Sequence, residues 1–419
     1  MCEVSGPHAV SARTICPNCL NRSCGNFAVC VLGCAMSVRH LLTAFALIAV
    51  GTVFVGQIRD LLADPTVWPP DDFIEYWSAA KLTIDGQNPY DGKLLLPLQK
   101  AGGRDEDQAV MMWNPPWTLA VVFPLGLFPS RVAQLLWLGV NLAATGYSGD
   151  RLWRLFGGRA DRRWVGWAIA FTAMPSAFAL QSGQISPLLL LGAVLFLECE
   201  RRRLYFAAGA ATVLLAIKPH LAYLVWLAIL CDAIAHKRWR ILIGGAIAGV
   251  VCSAFPLIFV PHVWSQFADA MANRPPEQWQ SPTIGTVLRL VIDEKLFRLQ
   301  FVPVLFGLAW FGFYYPRWFA RWNWAEQLPL LLLVSFVTAP YGAWPFDMVL
   351  LLPAAMWLVI HRCSRLTIAG LVAVNIGCLA CNLLETGSFW FLWVSPVVLL
   401  LYVIGCRNNI RGLPETVQA

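Results

Sequence analysis

The chain has 419 residues, 58% of them hydrophobic and 13% charged, with a formal net charge of +7. Soluble domains carry about 25% charged residues, so the composition excludes an ordinary soluble enzyme and points to an all-α, polytopic membrane protein. The positive balance calls for no nucleic-acid partner, because Lys and Arg fall in short clusters between apolar runs, as topology determinants do.

Residues 1–35 form a cysteine-containing tail. Cys16-Pro-Asn-Cys19 has zinc-knuckle spacing, but no second such pair follows it and His8 is poorly placed. The tail reads as a disordered extension, or as sequence upstream of a natural start at Met36. It is too polar for a cleavable signal peptide. Cys199, Cys231, Cys252, Cys378, Cys381 and Cys406 lie in apolar runs and read as small buried hydrophobes, not a disulfide framework.

The domain that follows, 36–406, predicts a bundle of about twelve transmembrane helices. The runs are near 41–58, 132–150, 164–180, 186–199, 203–217, 219–235, 241–261, 299–315, 328–343, 347–360, 366–384 and 388–406. Several fall short of the roughly 20 residues that a span needs, so their helices extend into the flanks. Basic clusters at Arg151–Arg163, Arg201–Arg203, Lys237–Arg240, Arg317–Arg321 and Arg362–Arg365 then all lie on one side, which the positive-inside rule makes cytoplasmic. Both termini, including the 407–419 tail, share that side. The condition is that Trp117–Pro129 does not cross: it is short, Pro124 and Pro129 interrupt it, and it reads as a re-entrant or interfacial hairpin. Two long external loops remain, 59–131 and 262–298. The first holds ten of the 24 acids.

Chemistry is sought where polar residues depart from the logic of a lipid-facing chain. Pro69-Pro-Asp-Asp-Phe-Ile-Glu-Tyr-Trp77 carries Asp71, Asp72 and Glu75 just past the first apolar run. If a helix starts at Phe73, Asp72 is its N-cap, Glu75 sits at N3, and Tyr76 shares a face with Asp72. A carboxylate there is partly desolvated and more basic, which suits a general base; a cap can also be a base. Gly86-Gln-Asn-Pro-Tyr90 is a turn in which Tyr90 either stacks on a sugar or anchors the loop. Trp113-Asn-Pro-Pro-Trp117 is a rigid bend that shapes a cavity wall. Gln184, in Gln181–Pro187, suits a sugar hydroxyl or a phosphate, or is part of an ordinary turn. Lys218-Pro-His220 lies between two apolar segments. The lysine there either snorkels or meets a phosphate, with His220 as a second donor. Arg274 and Arg289, in the second loop, are placed to gate or line a donor site. Asp347 either caps a helix or pairs with a cation such as Lys218.

There is no P-loop, GxGxxG, HExxH or GxSxG. With only His220 and His262 on the external side, a histidine metal site is not expected. No cofactor is called for either.

Taken together, Asp72–Ala80 (DFIEYWSAA), Gly86–Tyr90, Pro115-Pro116, Pro124–Pro129, Gly183-Gln184, Lys218–His220 and Pro340–Asp347 resemble glycosyltransferase family 87. These are membrane GT-C enzymes that use polyprenyl-phosphate sugars. The resemblance covers roughly 45–400. It implies an Asp base in the first external loop, which falls on Asp72, and a cationic phosphate site, for which Lys218 is the candidate. Phe346-Asp347 stands where some members carry His, and Trp113 stands where Tyr is usual.

The expected activity is a membrane glycosyltransferase of the plasma (inner) membrane. It moves a hexosyl or pentosyl unit from a polyprenyl-phosphate donor to an envelope glycan or glycolipid on the external face, with inversion. The expected site is Asp72 as base, with Lys218, His220, Gln184, Tyr76, Tyr90, Arg274 and Asp347 binding substrate, and no metal. The rival is a polytopic transporter or lipid-linked-sugar flippase. No internal repeat is visible, and the acids cluster in a loop, not at mid-membrane.

Overall fold

The computed structural model describes residues 64, 68–273, 279–361 and 365–407. The cysteine-containing tail, the first apolar run, Arg274 and the C-terminal tail lie outside them. Among the described residues every regular element is helical. In chain order the α-helices are α1 (Phe73–Ile84), α2 (Gly92–Ala101), α3 (Thr118–Val122), α4 (Ser130–Leu155), α5 (Arg163–Thr172), α6 (Met174–Ser182), α7 (Ser186–Arg201), α8 (Tyr205–Ala211), α9 (Tyr223–Ala235), α10 (Trp239–Ala254), α11 (Val263–Asn273), α12 (Ile284–Ile292), α13 (Val302–Trp318), α14 (Trp324–Val337), α15 (Leu352–His361), α16 (Arg365–Leu383) and α17 (Val394–Arg407).

Among the described residues, four stretches are long and apolar enough to cross a membrane: Trp239–Ile258, Phe297–Arg321, Arg365–Leu383 and Ser388–Cys406. The expectation of about twelve such spans is therefore met only in part. Several of the other apolar runs do form helices, but shorter or broken ones. Pro175 sits in the first turn of α6, and the run predicted over 164–180 divides into α5 and α6 at Ala173. Asn375 of α16 closes that break: its carbonyl accepts from Met174 N at 2.7 Å, and its amide donates to Thr172 O at 3.0 Å. In a water-poor interior a backbone group freed by a helix break needs such a partner. The stretch 117–129 folds into α3 and a 3-10 turn over Phe123–Leu127. Ten helical residues reach about 15 Å, half a bilayer core.

The buried core is built from α1, α7, α9, α14 and the Pro345–Leu351 turn, which supply almost fully enclosed side chains such as Phe73, Leu189, Phe196, Leu224, Leu332, Phe336 and Leu350. Large apolar side chains on α10, α13 and α16, such as Ile247, Phe306 and Ile376, point outward instead. That inversion fits helices whose outer surface meets lipid rather than water. The helices α4, α7 and α9 run from a polar chamber at their N-terminal ends to basic clusters at their C-terminal ends. There Arg163 pairs with Asp150 (2.6 Å), Arg202 with Glu198 (2.6 Å) and Arg238 with Glu200 (2.8 Å).

Candidate active site

The site begins at the entry to α1. Arg131 and Gln134 of α4 donate to the carbonyls of Trp68 (2.7 Å) and Pro69 (3.0 Å), fixing the incoming chain. Asp71 then turns through a left-handed conformation (φ 43°), a region that Asp tolerates better than most residues. Asp72 occupies the N-cap position, yet its backbone is already helical and its side chain makes no cap hydrogen bond. The capping role expected of Asp72 is thus not seen. Its Oδ2 instead accepts from Gln184 Nε2 at 2.8 Å.

Gln184 is held on both sides. Tyr76, one turn along α1 from Asp72, donates its hydroxyl to Gln184 Oε1 at 2.8 Å. With its carbonyl occupied, the amide has only N–H groups to offer Asp72. Gly183 makes the approach possible. It adopts φ 68°, and a Cβ there would stand 2.6 Å from Phe73 Cβ. Any other residue would push the end of α6 away from α1. Trp137 and Asn141 of α4 donate to the Gly183 and Gln184 carbonyls at 2.7 and 3.1 Å.

The second cluster forms where the chain breaks between Ile217 and Pro219. Lys218 Nζ lies 2.7 Å from Asp347 Oδ1 and 4.8 Å from the centre of the Phe346 ring. Asp347 is fully buried; it also accepts from Ser186 Oγ and, at 3.2 Å, from Trp344 N. Both roles weighed for Asp347, helix cap and cation partner, are therefore present together. An ammonium has three N–H donors, and Lys218 spends one of them on Asp347. Proline at 219 ends the preceding helical turn, and the first loop takes up the carbonyls near the break. Asn114 Nδ2 donates to Ile217 O (3.3 Å) and Trp117 Nε1 to Ala216 O (2.9 Å).

Asp72, Glu75, Gln184, Lys218, His220 and Asp347 all line one cavity of about 610 Å³, within the size range of small-molecule sites. Aromatic side chains form much of its wall. Trp113 packs edge-on against Trp279 (5.6 Å), Trp279 neighbours Trp344 (6.3 Å), and His220 lies over Tyr341 (4.6 Å). Such faces suit the apolar side of a sugar ring. Tyr341 and Trp344 fall in the Pro340–Asp347 motif, to which the sequence assigned no aromatic role, and Trp279 lies in a loop with no periodic context and no motif to mark it.

Two predicted residues stand elsewhere. Tyr90 donates to Asn114 O (3.3 Å) and packs on Phe267 (5.2 Å), so its ring anchors the loop and does not line the Asp72 cavity. Arg289 is buried and donates to Trp279 O at 3.0 Å, which holds the tryptophan in place.

Burial raises the Asp72 pKa above the usual carboxylate range, while the Gln184 hydrogen bond and the Lys218 charge oppose the rise. Glu75 is pushed well above its ordinary value by burial and then by the Asp72 charge. Asp71 is raised to about 6 by loss of solvent and by Asp72. A base acts only when deprotonated, so activity resting on Asp72 falls as pH drops through its raised pKa. Gln184→Leu removes a bond that favours the charged form. Hydrogen bonds to charged groups contribute about 1.5–3 kcal/mol, and 1.36 kcal/mol corresponds to one pKa unit. The acid limb of the pH–rate profile is therefore expected to move up by about one to two pH units. An unmoved limb would remove Gln184 from the control of Asp72.

A family model described as glycosyltransferase family 87 matches residues 113–384, well over half of the chain. That segment contains Gln184, Lys218, His220 and Asp347; Asp72, Glu75, Tyr76 and Tyr90 precede it. No curated protein and no solved structure matches the chain.

Proposed function

The chain belongs to glycosyltransferase family 87, and from that premise we propose that it transfers a monosaccharide from a polyprenyl-phosphate donor, with Asp72 as general base and inversion at the anomeric carbon. The acceptor hydroxyl oxygen attacks C1 from the face opposite the phosphate. Its proton passes to an Asp72 oxygen as the new C1–O bond forms. The bond from C1 to the phosphate oxygen breaks, and polyprenyl phosphate leaves as an anion. Lys218, with two N–H groups still available, meets the charge growing on that leaving group. The aromatic wall holds the sugar.

The observation that carries this reading is one chamber shared by a carboxylate of raised basicity and a half-buried lysine. The chamber stands at the ends of α4, α7 and α9 remote from the basic clusters, which supports an active site on the external face of the plasma membrane.

The test uses the purified full chain in nanodiscs, a panel of radiolabelled polyprenyl-phosphate sugars, and total membrane lipids and glycans as acceptors. The expected result is a covalent product whose new linkage has the opposite anomeric configuration to the donor. Solute uptake into vesicles without any covalent product would replace this reading with that of a transporter.

A further inference from the structure

Trp113, Trp279 and Trp344 line the cavity that holds Lys218. Two of these indoles belong to the kink that bears the lysine. Trp344 N donates to Asp347 Oδ2, and Asp347 is the ion-pair partner of Lys218. Trp113 precedes Asn114, whose amide donates to Ile217 O beside the lysine. Trp279 arrives separately, on the second external loop, and meets the other two ring to ring.

Arg289 of α12 fixes Trp279 by donating to its carbonyl at 3.0 Å. This guanidinium is only 1% exposed, its Nε has no partner, and it forms no ion pair with any described carboxylate. Enclosing a cation without a counter-charge is costly, and an apolar side chain of similar length would serve stability better. Its place in the last turn of α12, where the helix carbonyls carry partial negative charge, offsets only part of that cost. What an apolar residue could not supply is a rigid fork of N–H donors aimed at Trp279.

The helix is anchored so as to present that fork. Thr283 caps it, accepting from Thr286 N at 3.1 Å, and Thr286 Oγ1 accepts from Gln300 Nε2 at 3.2 Å. Gly285 lies so close to the Gln300 backbone that a Cβ there would overlap it. Gln300 belongs to the Phe297–Phe301 turn, and both phenylalanine rings of that turn pack on Tyr341, another residue of the cavity wall. The second loop thus carries one aromatic face into the cavity and braces a second.

We propose that Arg289 is a specificity-determining residue for the donor's sugar: acting through Trp279, it sets the width of the aromatic slot that receives the monosaccharide. Arg289 does not line the cavity, so it is a positioning residue. The proposal rests on the transferase reading above and separates donor recognition into two parts. Lys218 meets the phosphate common to every polyprenyl-phosphate sugar, while the Arg289–Trp279 clasp meets the ring that distinguishes one from another.

The test compares polyprenyl-phosphate sugars with bare polyprenyl phosphate as ligands of the full chain in nanodiscs, by thermal protection, alongside initial rates. Arg289→Met keeps the length of the side chain and removes its charge and donors. It is expected to weaken the sugar-bearing donor about tenfold, the loss of one aromatic contact, and to leave bare polyprenyl phosphate within about twofold. Donor KM is expected to rise while kcat stays within about threefold, and preference among monosaccharides to flatten. The melting temperature is expected not to fall. Arg289→Lys, a cation without the fork, is expected to behave as Arg289→Met does. Adding Arg289→Met to Trp279→Ala is expected to cost nothing more, since groups that act through one another do not add.

A lowered melting temperature with donor affinities unchanged, or a variant too unstable to purify, would assign Arg289 to the fold and overturn the proposal. Equal weakening of both ligands would place Arg289 with the phosphate and also overturn it. So would a Trp279→Ala protein that still prefers the sugar-bearing ligand as the unmodified chain does. Each of these leaves the transferase reading standing. That reading falls instead if the unmodified chain gives no transfer above an Asp72→Asn blank with any donor.

Discussion

Asp72→Asn is expected to lower turnover by about 10²–10⁴-fold, the range that a positioned general base contributes, while donor affinity stays within about twofold. The substitution keeps shape and volume. The Asn carbonyl can still accept from Gln184, so the Tyr76–Gln184 arrangement survives. What disappears is the site that receives the acceptor's proton. Neither neighbour replaces it. Burial and the Asp72 charge both favour the protonated form of Glu75, which makes it the poorer proton acceptor. Asp71, pushed up to about 6, does not line the cavity that holds Lys218. The readouts are initial rates together with thermal protection by a polyprenyl-phosphate sugar. Turnover close to that of the unmodified protein would show that another group takes the proton.

Lys218→Met is expected to fail twice over, in stability and in catalysis. Asp347 is fully buried, and its only cationic partner among the described residues is Lys218. Breaking a buried ion pair by removing one member costs about 3–5 kcal/mol, because a charge is left without compensation. The Ser186 hydroxyl and the Trp344 N–H remain as donors, which places the cost toward the lower end of that range. Adding Asp347→Asn removes the stranded charge and keeps an acceptor for Ser186. Thermal stability is expected to recover in the double variant, and turnover is not, since no cation then faces the departing phosphate. A double variant that regains turnover would show that Lys218 serves the fold alone.

Much of the site was legible because its residues are ones that apolar segments rarely carry. Asp72, Gln184, Lys218 and Asp347 each interrupt an apolar context, and the structure gathers all four around one cavity. What sequence could not give was partnership. The local pattern of an acid before a helix suggests a cap, whereas Gln184, 112 residues away, claims the carboxylate. Asp347 offered a choice between cap and ion pair that only Ser186 and Lys218, brought in from other helices, resolve. Tyr90 sits in a turn as expected, but the ring's direction depends on Phe267 from the second loop. The tally of membrane spans is met only in part among the described residues, for a related reason. Apolar runs mark buried segments, and periodicity alone does not separate a crossing helix from a short one enclosed by neighbours.

The break before Pro219 has a consequence for how this protein can be altered or diversify. The backbone oxygens of Ala216 and Ile217 are capped by Trp117 and Asn114, which arrive from a stretch a hundred residues earlier. A chimera that imports a foreign 64–131 segment without those two side chains would strand two carbonyls where water is scarce, at about 1–3 kcal/mol each. The loop that bears the acid and the kink that bears the lysine are therefore one inherited unit, to be exchanged together or not at all.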